Sequence, residues 1–164
     1  MKKMNLLMFT ICCISLSYSV DAQKKENFKF TKLVYHASRC NGSCPQISLI
    51  IKRNRKIIVR REMFKTKSQV DERYSGQFKG RLSPALFNEI ILQLKAAQLD
   101  SLKFPDVDCC DGSIKTLIVY YNGKRRQFKS MAPPETVQQL FETLSSIAID
   151  TKLKRAAVTK GIEE

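Results

Sequence analysis

The spacing of hydrophobic and polar positions divides this chain into stretches of two periods. From Phe28 the pattern is extended: FKFTKLVYHA alternates in part and is rich in aromatic and β-branched residues, and QISLIIK and KIIVRREMF follow it across the charged bend Arg53-Asn54-Arg55. These segments predict three antiparallel strands. KTKSQVDERYSG has few large apolar residues and ends in Gly76, which predicts an exposed loop, and QFKGRL then returns as a fourth strand. At Ser83-Pro84 the period lengthens. A serine hydroxyl can accept an unpaired backbone N–H, proline at the first helical position sacrifices no hydrogen bond, and Leu86, Phe87, Ile90, Ile91, Leu94 and Ala97 then recur at three- and four-residue intervals.

The acidic loop DVDCCDGS interrupts that helix pattern, and IKTLIVYY and KRRQFKS follow, joined by Asn122-Gly123. That pair accepts the positive φ angles of a tight hairpin turn. Pro133-Pro134 opens a last helix, with Val137, Leu140, Phe141, Leu144 and Ile147 on one face. Beyond Asp150 the apolar density falls, and residues 151–164 read as a frayed basic tail. Strands, helix, hairpin, helix in this order predict an α+β domain: an antiparallel sheet with two helices packed on one face.

The N-terminal residues change the picture of where such a domain works. Lys2 and Lys3 precede the apolar run LLMFTICCISLSYS, which is short for a bilayer span, and Val20 and Ala22 are small residues of the kind a signal peptidase accepts. Residues 1–22 therefore read as a signal peptide cut near Ala22, residues 23–150 as a single domain, and the mature chain as secreted or periplasmic without a transmembrane segment. The 164 residues carry a formal net charge of +14, which loss of Lys2, Lys3 and Asp21 lowers by one. Such a balance favours anionic partners, although a solvated basic surface is the more ordinary reading of it.

Four cysteines lie beyond the signal segment: Cys40, Cys44, Cys109 and Cys110. An oxidising compartment favours disulfides, four cysteines allow three pairings, and spacing does not choose between them. Adjacent Cys109 and Cys110 form a candidate second thiol pair. Around the first pair, Cys40-Asn41-Gly42-Ser43-Cys44-Pro45 could carry thiol redox chemistry or, with soft thiolates and His36, Cu(I). A strand pattern, not a helix, follows Pro45, so no helix N-terminus is available to lower a thiol pKa. His36 also reads as an ordinary strand residue. The three carboxylates of Asp106-Val107-Asp108-Cys109-Cys110-Asp111-Gly112 miss the calcium-loop spacing by one residue and lack a closing glutamate. With no nucleophile elbow, no paired carboxylates and no phosphate-cradling glycine loop, no cofactor or catalytic residue is assigned.

Basic residues concentrate at the two hairpins. Lys52, Arg53, Arg55 and Lys56 surround one turn and Lys124, Arg125 and Arg126 follow the other, so tips projecting from the same edge would form one cationic patch. Anionic envelope polymers, a lipid surface or acidic proteins are the partners such a patch suits; specific nucleic-acid recognition has no motif here. Basic turns also blunt sheet edges against aggregation.

At RCNGSCPQISLII the chain resembles a bacterial family of secreted and envelope domains of unknown function, whose signature is C-x-G-x-C-P-x-Y leading into a strand. The resemblance runs from about Leu33 to Ile149 and includes Cys40, Gly42, Cys44 and Pro45, the Ser83–Leu94 helix with Phe87, Asp111, the Asn122-Gly123-Lys124 turn and the final proline-led helix. Ile47 stands where the family usually has tyrosine, and Cys109 and Cys110 lie outside its pattern. The resemblance implies a Cys40–Cys44 disulfide that fixes a turn permitted by Gly42 and ended by Pro45, and a non-catalytic interaction or envelope-associated role. A copper-binding or disulfide-exchange protein acting through Cys40 and Cys44 is the alternative.

Overall fold

A computed structural model describes residues 28–106, 111–150, 152–157 and 162. Within them, β1 (Phe30–Ala37), β2 (Gln46–Lys52), β3 (Lys56–Glu62), a two-stranded ribbon of β4 (Phe64–Thr66) and β5 (Gln69–Val70), and β6 (Gly76–Arg81) precede helix α1 (Pro84–Ala96). Next come β7 (Lys115–Tyr121), β8 (Lys124–Ser130), a single 3-10 turn at Glu135–Val137, helix α2 (Gln138–Ile149) and β9 (Lys154–Arg155). The main sheet has seven strands in the order β8-β7-β1-β2-β3-β6-β9, and every neighbouring pair is antiparallel. The α+β architecture is the one the pattern predicts.

Position in the sheet explains why β1 alternates only in part. Leu33, Val34 and Tyr35 of this central strand are all buried, so the burial of three residues in succession hides the period of two. A register shift between Phe30 and Lys32 then lets Phe30 and Leu33, three residues apart, share the core side. That side meets both helices. Phe30 packs edge-on to Phe87 of α1, Tyr35 packs edge-on to Phe141 of α2, and Ile90, Leu94, Leu140 and Leu144 close the same cluster. Burial of one such leucine is worth about 1.5–3 kcal/mol.

The predicted local devices are in place. Ser83 caps α1, its hydroxyl accepting the Leu86 N–H at 3.2 Å, with Pro84 at the first helical position. Asn122 and Gly123 hold φ angles of 49° and 75°. Two segments differ from expectation. The stretch predicted as an open loop contains the β4–β5 ribbon, and Lys154–Arg155, inside the predicted tail, pairs with β6. Both are two- or three-residue strands, too short to print a period of two on the sequence. Arg155 also lies against Gly76, where an added Cβ would stand 2.8 Å from its Nη1 and where φ is +122°. No helix among the described residues is long and apolar enough to cross a membrane.

Candidate functional site

Strand parity decides which basic side chains share a surface. The core side of the sheet takes Leu33 and Tyr35 of β1, Leu49 and Ile51 of β2, Ile57 and Val59 of β3, and Leu117 and Val119 of β7. The alternate residues form the opposite face, which carries neither helix among the described residues. Two of them, Val34 and Ile118, are fully buried nonetheless. They sit paired across β1 and β7.

At the end of this open face where β1 begins, the registers line up a row of cations. Arg125 pairs with Tyr120, Tyr120 with Lys32, and Lys32 with Lys52. Lys52 and Lys56 flank the β2–β3 turn one step beyond the Ile51–Ile57 pair, and Lys56 pairs with Arg81. The row Arg125, Tyr120, Lys32, Lys52, Lys56, Arg81 therefore crosses six strands with no carboxylate in it. Lys32 Nζ lies 4.2 Å from the centre of the Tyr120 ring, and Arg125 Nε donates to the Tyr120 hydroxyl at 3.1 Å. Lys52, Lys56, Arg81 and Arg125 are exposed. Like charges directly opposite one another in a sheet are destabilising, so nothing in strand pairing itself favours this row.

Both hairpin tips do lie at this end of the sheet, yet the run Lys124-Arg125-Arg126 does not act as one cluster. Lys124 pairs with Tyr121 and Arg126 with Val119, which puts both on the helix side, and only Arg125 faces the open side. Lys124 Nζ is held 3.0 Å from Asp100 Oδ1, which also accepts the Tyr121 hydroxyl at 3.0 Å. The Lys124 contact first, and the Tyr121 hydrogen bond after it, hold the Asp100 carboxyl below its ordinary range. Arg53 sits on the β2–β3 turn, its N–H bonded to the Thr31 carbonyl at 3.0 Å. Arg55 takes a φ of 66° and reaches the Leu82 carbonyl at 3.4 Å. Lys32 and Arg81 were not singled out by sequence, because neither belongs to a dense basic run like those at the hairpins. Only the cross-strand register puts them beside the hairpin residues.

A polar zone occupies the other end of the face. His36 Nδ1 and Ser48 Oγ are 2.9 Å apart, and with Thr116, Gln127 and Lys129 they line a depression of about 250 Å³. Beside it, Gln46, Arg60 and Glu62 with Val70, Glu72 and Ile162 wall a cleft of about 450 Å³. The acidic residues of the open face gather here, not at the cationic row.

The cysteine loop next to this zone is a closed structure. Cys40 and Cys44 are disulfide-bonded with an S–S distance of 2.00 Å. The Asn41 N–H donates to the Asp111 carbonyl at 3.1 Å and its side-chain amide donates to Asp111 Oδ2 at 2.8 Å, while Ser38 exchanges bonds with Ile114. The bridge closes so few residues that the chain-entropy model assigns it only about 2 kcal/mol. Pro45 leads into β2, a strand, so the helix dipole that thiol chemistry draws on is not there. Cys109 and Cys110, the candidate second thiol pair, lie outside the described residues.

One charged residue that sequence reasoning passed over is buried. Arg61 shares the core parity of Ile57 and Val59 and is 3% exposed. Its Nη1 donates to the carbonyls of Ala148 at 2.7 Å and Asp150 at 3.1 Å, its Nε donates to Tyr74 at 2.8 Å, and the guanidinium stacks 4.2 Å from the Phe78 ring. Burial pulls its pKa down, Asp150 opposes that, and Arg155 adds to it. Arg61 thus caps the C-terminus of α2, where unpaired carbonyls and the helix dipole favour a cation. Its inward parity beside outward Arg60 was the signal available in the sequence.

A family model described as Domain of unknown function (DUF6438) matches residues 31–148. No curated protein matches the chain.

Proposed function

The chain belongs to the DUF6438 family of domains of unknown function, so its role has to be read from its surface, and we propose that it is a non-catalytic interaction domain, secreted or periplasmic, that holds an anionic partner on the open sheet face. The observation that carries this reading is the run of exposed cations Lys52, Lys56 and Arg81 at adjacent positions of β2, β3 and β6, with Lys32 paired to Lys52 on β1. Cations placed directly opposite cations repel, and an anionic partner turns that repulsion into attraction. Export is supported by the signal-like leader together with the closed disulfide, which an oxidising compartment maintains. In this reading the disulfide holds the loop at the polar end of the face and does no chemistry. The thiol-dependent alternative loses support from the same loop: its two sulfurs are bonded to each other and a strand follows Pro45.

Retention of the purified protein on an anionic matrix across a salt gradient tests the proposal. Salt-sensitive retention that is lost in a Lys52→Glu, Lys56→Glu variant, and kept in a Lys124→Glu, Arg126→Glu variant of the same net charge, is the expected result. Equal losses in both variants would reduce the effect to net charge and remove the site.

A further inference from the structure

We infer that the cleft of about 450 Å³ at the polar end of the open face is a binding site for an extended peptide, and that the chain's own C-terminal segment is its resident occupant. The cations at the other end of the sheet take no part in it. Two surfaces make up the site. One is the outer edge of β6, and the other is the cleft beside it, which Gly76 and Gln77 of β6 help to line.

Backbone pairing sets the route of the segment after α2. Lys154 and Arg155 pair antiparallel with Lys79 and Phe78, so the chain runs along β6 towards Gly76, the end at which the cleft lies. There the Ala156 N–H donates to the Gln77 carbonyl at 2.9 Å, and the Gln77 side-chain amide donates to the Ala157 carbonyl at 3.0 Å. Addition of an extended segment to a sheet edge is a general mode of peptide binding, in which main-chain hydrogen bonds supply affinity and side-chain pockets supply specificity. Two glycines of β6 make room for it. A Cβ at Gly80 would stand 2.7 Å from the Leu153 side chain, and one at Gly76 would stand 2.8 Å from that of Arg155, whose Nη2 also donates to the carbonyls of Glu72 and Arg73. Leu153 in turn packs against the core. Ile162, half-buried, forms part of the cleft wall with Val70, so the same segment brings an apolar group to the site itself.

This seating is short. β9 makes two cross-strand pairs with β6, where β3 makes six, and pairings at a sheet edge open locally at less cost than global unfolding. Arg60, Glu62 and Glu72 on the cleft walls are exposed and carry both signs of charge, which suits a polypeptide of mixed charge such as residues 152–164 better than a polyanion. A site held in this way admits a second peptide only for the fraction of time its occupant is away, and the apparent affinity falls by that fraction. The C-terminal segment is thus an autoinhibitory strap on a peptide site.

A fluorescent peptide of residues 152–164, titrated into the full chain, tests this. Its affinity should rise about tenfold when the resident segment is unseated by Ala156→Pro, which removes the N–H bonded to Gln77, together with Ile162→Asp, which sets a charge against the cleft wall. The same two changes made in the peptide should abolish binding, and these cannot disturb the fold of the protein. In the unmodified chain, peptide at about the millimolar effective concentration of a tethered segment should speed hydrogen exchange at the Ala156 amide. Equal affinity of the peptide for the unmodified chain and for the double variant, shown to be folded by circular dichroism, overturns the resident occupant. Binding that is indifferent to the changes in the peptide overturns the peptide site. Exchange at Ala156 that the peptide leaves unaltered overturns both.

Discussion

The two faces of the same sheet handle positive charge in opposite ways. On the helix side a single arginine, Arg61, is almost entirely buried, and carbonyls from Tyr74, Ala148 and Asp150 surround its guanidinium. On the open side, the exposed cations Lys52, Lys56 and Arg81 stand next to one another across β2, β3 and β6. A buried charge is retained only where hydrogen bonds compensate its desolvation, whereas exposed charges need no partner because water screens them. Arg61 on the covered face therefore serves the fold, whereas the exposed cations Lys52, Lys56 and Arg81 are placed to meet a partner in solution.

The widest separation between the faces is expected in stability. Leu144→Ala empties a fully buried site in α2 and should cost about 2–5 kcal/mol in urea unfolding. Lys52→Glu should cost nothing and can stabilise slightly, since it relieves repulsion from Lys32 across the strand pair. A Lys52→Glu variant that unfolds as readily as Leu144→Ala would break the contrast and make the row structural. Arg61→Met comes next. It keeps an apolar stem over Phe78 but leaves the end of α2 without its donor, and should lower stability by about 2 kcal/mol. An unchanged unfolding midpoint would mean that water satisfies those carbonyls as well as the guanidinium does.

The smallest effect sharpens the contrast within one hairpin. Lys124, on the helix side, is tied to Asp100, while Arg125 next to it faces the open row. Because Asp100 has a lowered pKa in the folded chain, its contribution to stability is fully present above the unfolded-state value of about 3.9 and is lost as pH falls through the lower folded value. Asp100→Asn should flatten the acid limb of the stability curve in that window and lower stability slightly across the neutral range, where the charged carboxylate contributes in full. Parallel acid limbs for the two proteins would show that the pair is screened out.

Legibility followed the range of the interaction. The Ser83-Pro84 helix start, the Asn122-Gly123 turn and the helix faces depend on neighbours within a few residues, so their signals are printed in the sequence. The β4–β5 ribbon and β9 were missed because such short strands exist only by pairing with what lies beside them. The basic cluster was half legible. Its members were visible at both hairpins, but a run such as Lys124-Arg125-Arg126 looks like one patch on paper, and the period of two in a strand splits it between faces.

By itself, the sequence determined the local conformations, the identity of the core residues and the supply of positive charge, because propensity, amphipathic period and composition are properties of short stretches of chain. The resemblance at Cys40–Pro45 added the disulfide. Tertiary structure alone decided which cations share a surface. Lys32, Lys56, Arg81 and Arg125 are neighbours only because β1 pairs with β2 and β7, β3 with β6, and β7 with β8, at registers set by core packing on the opposite face.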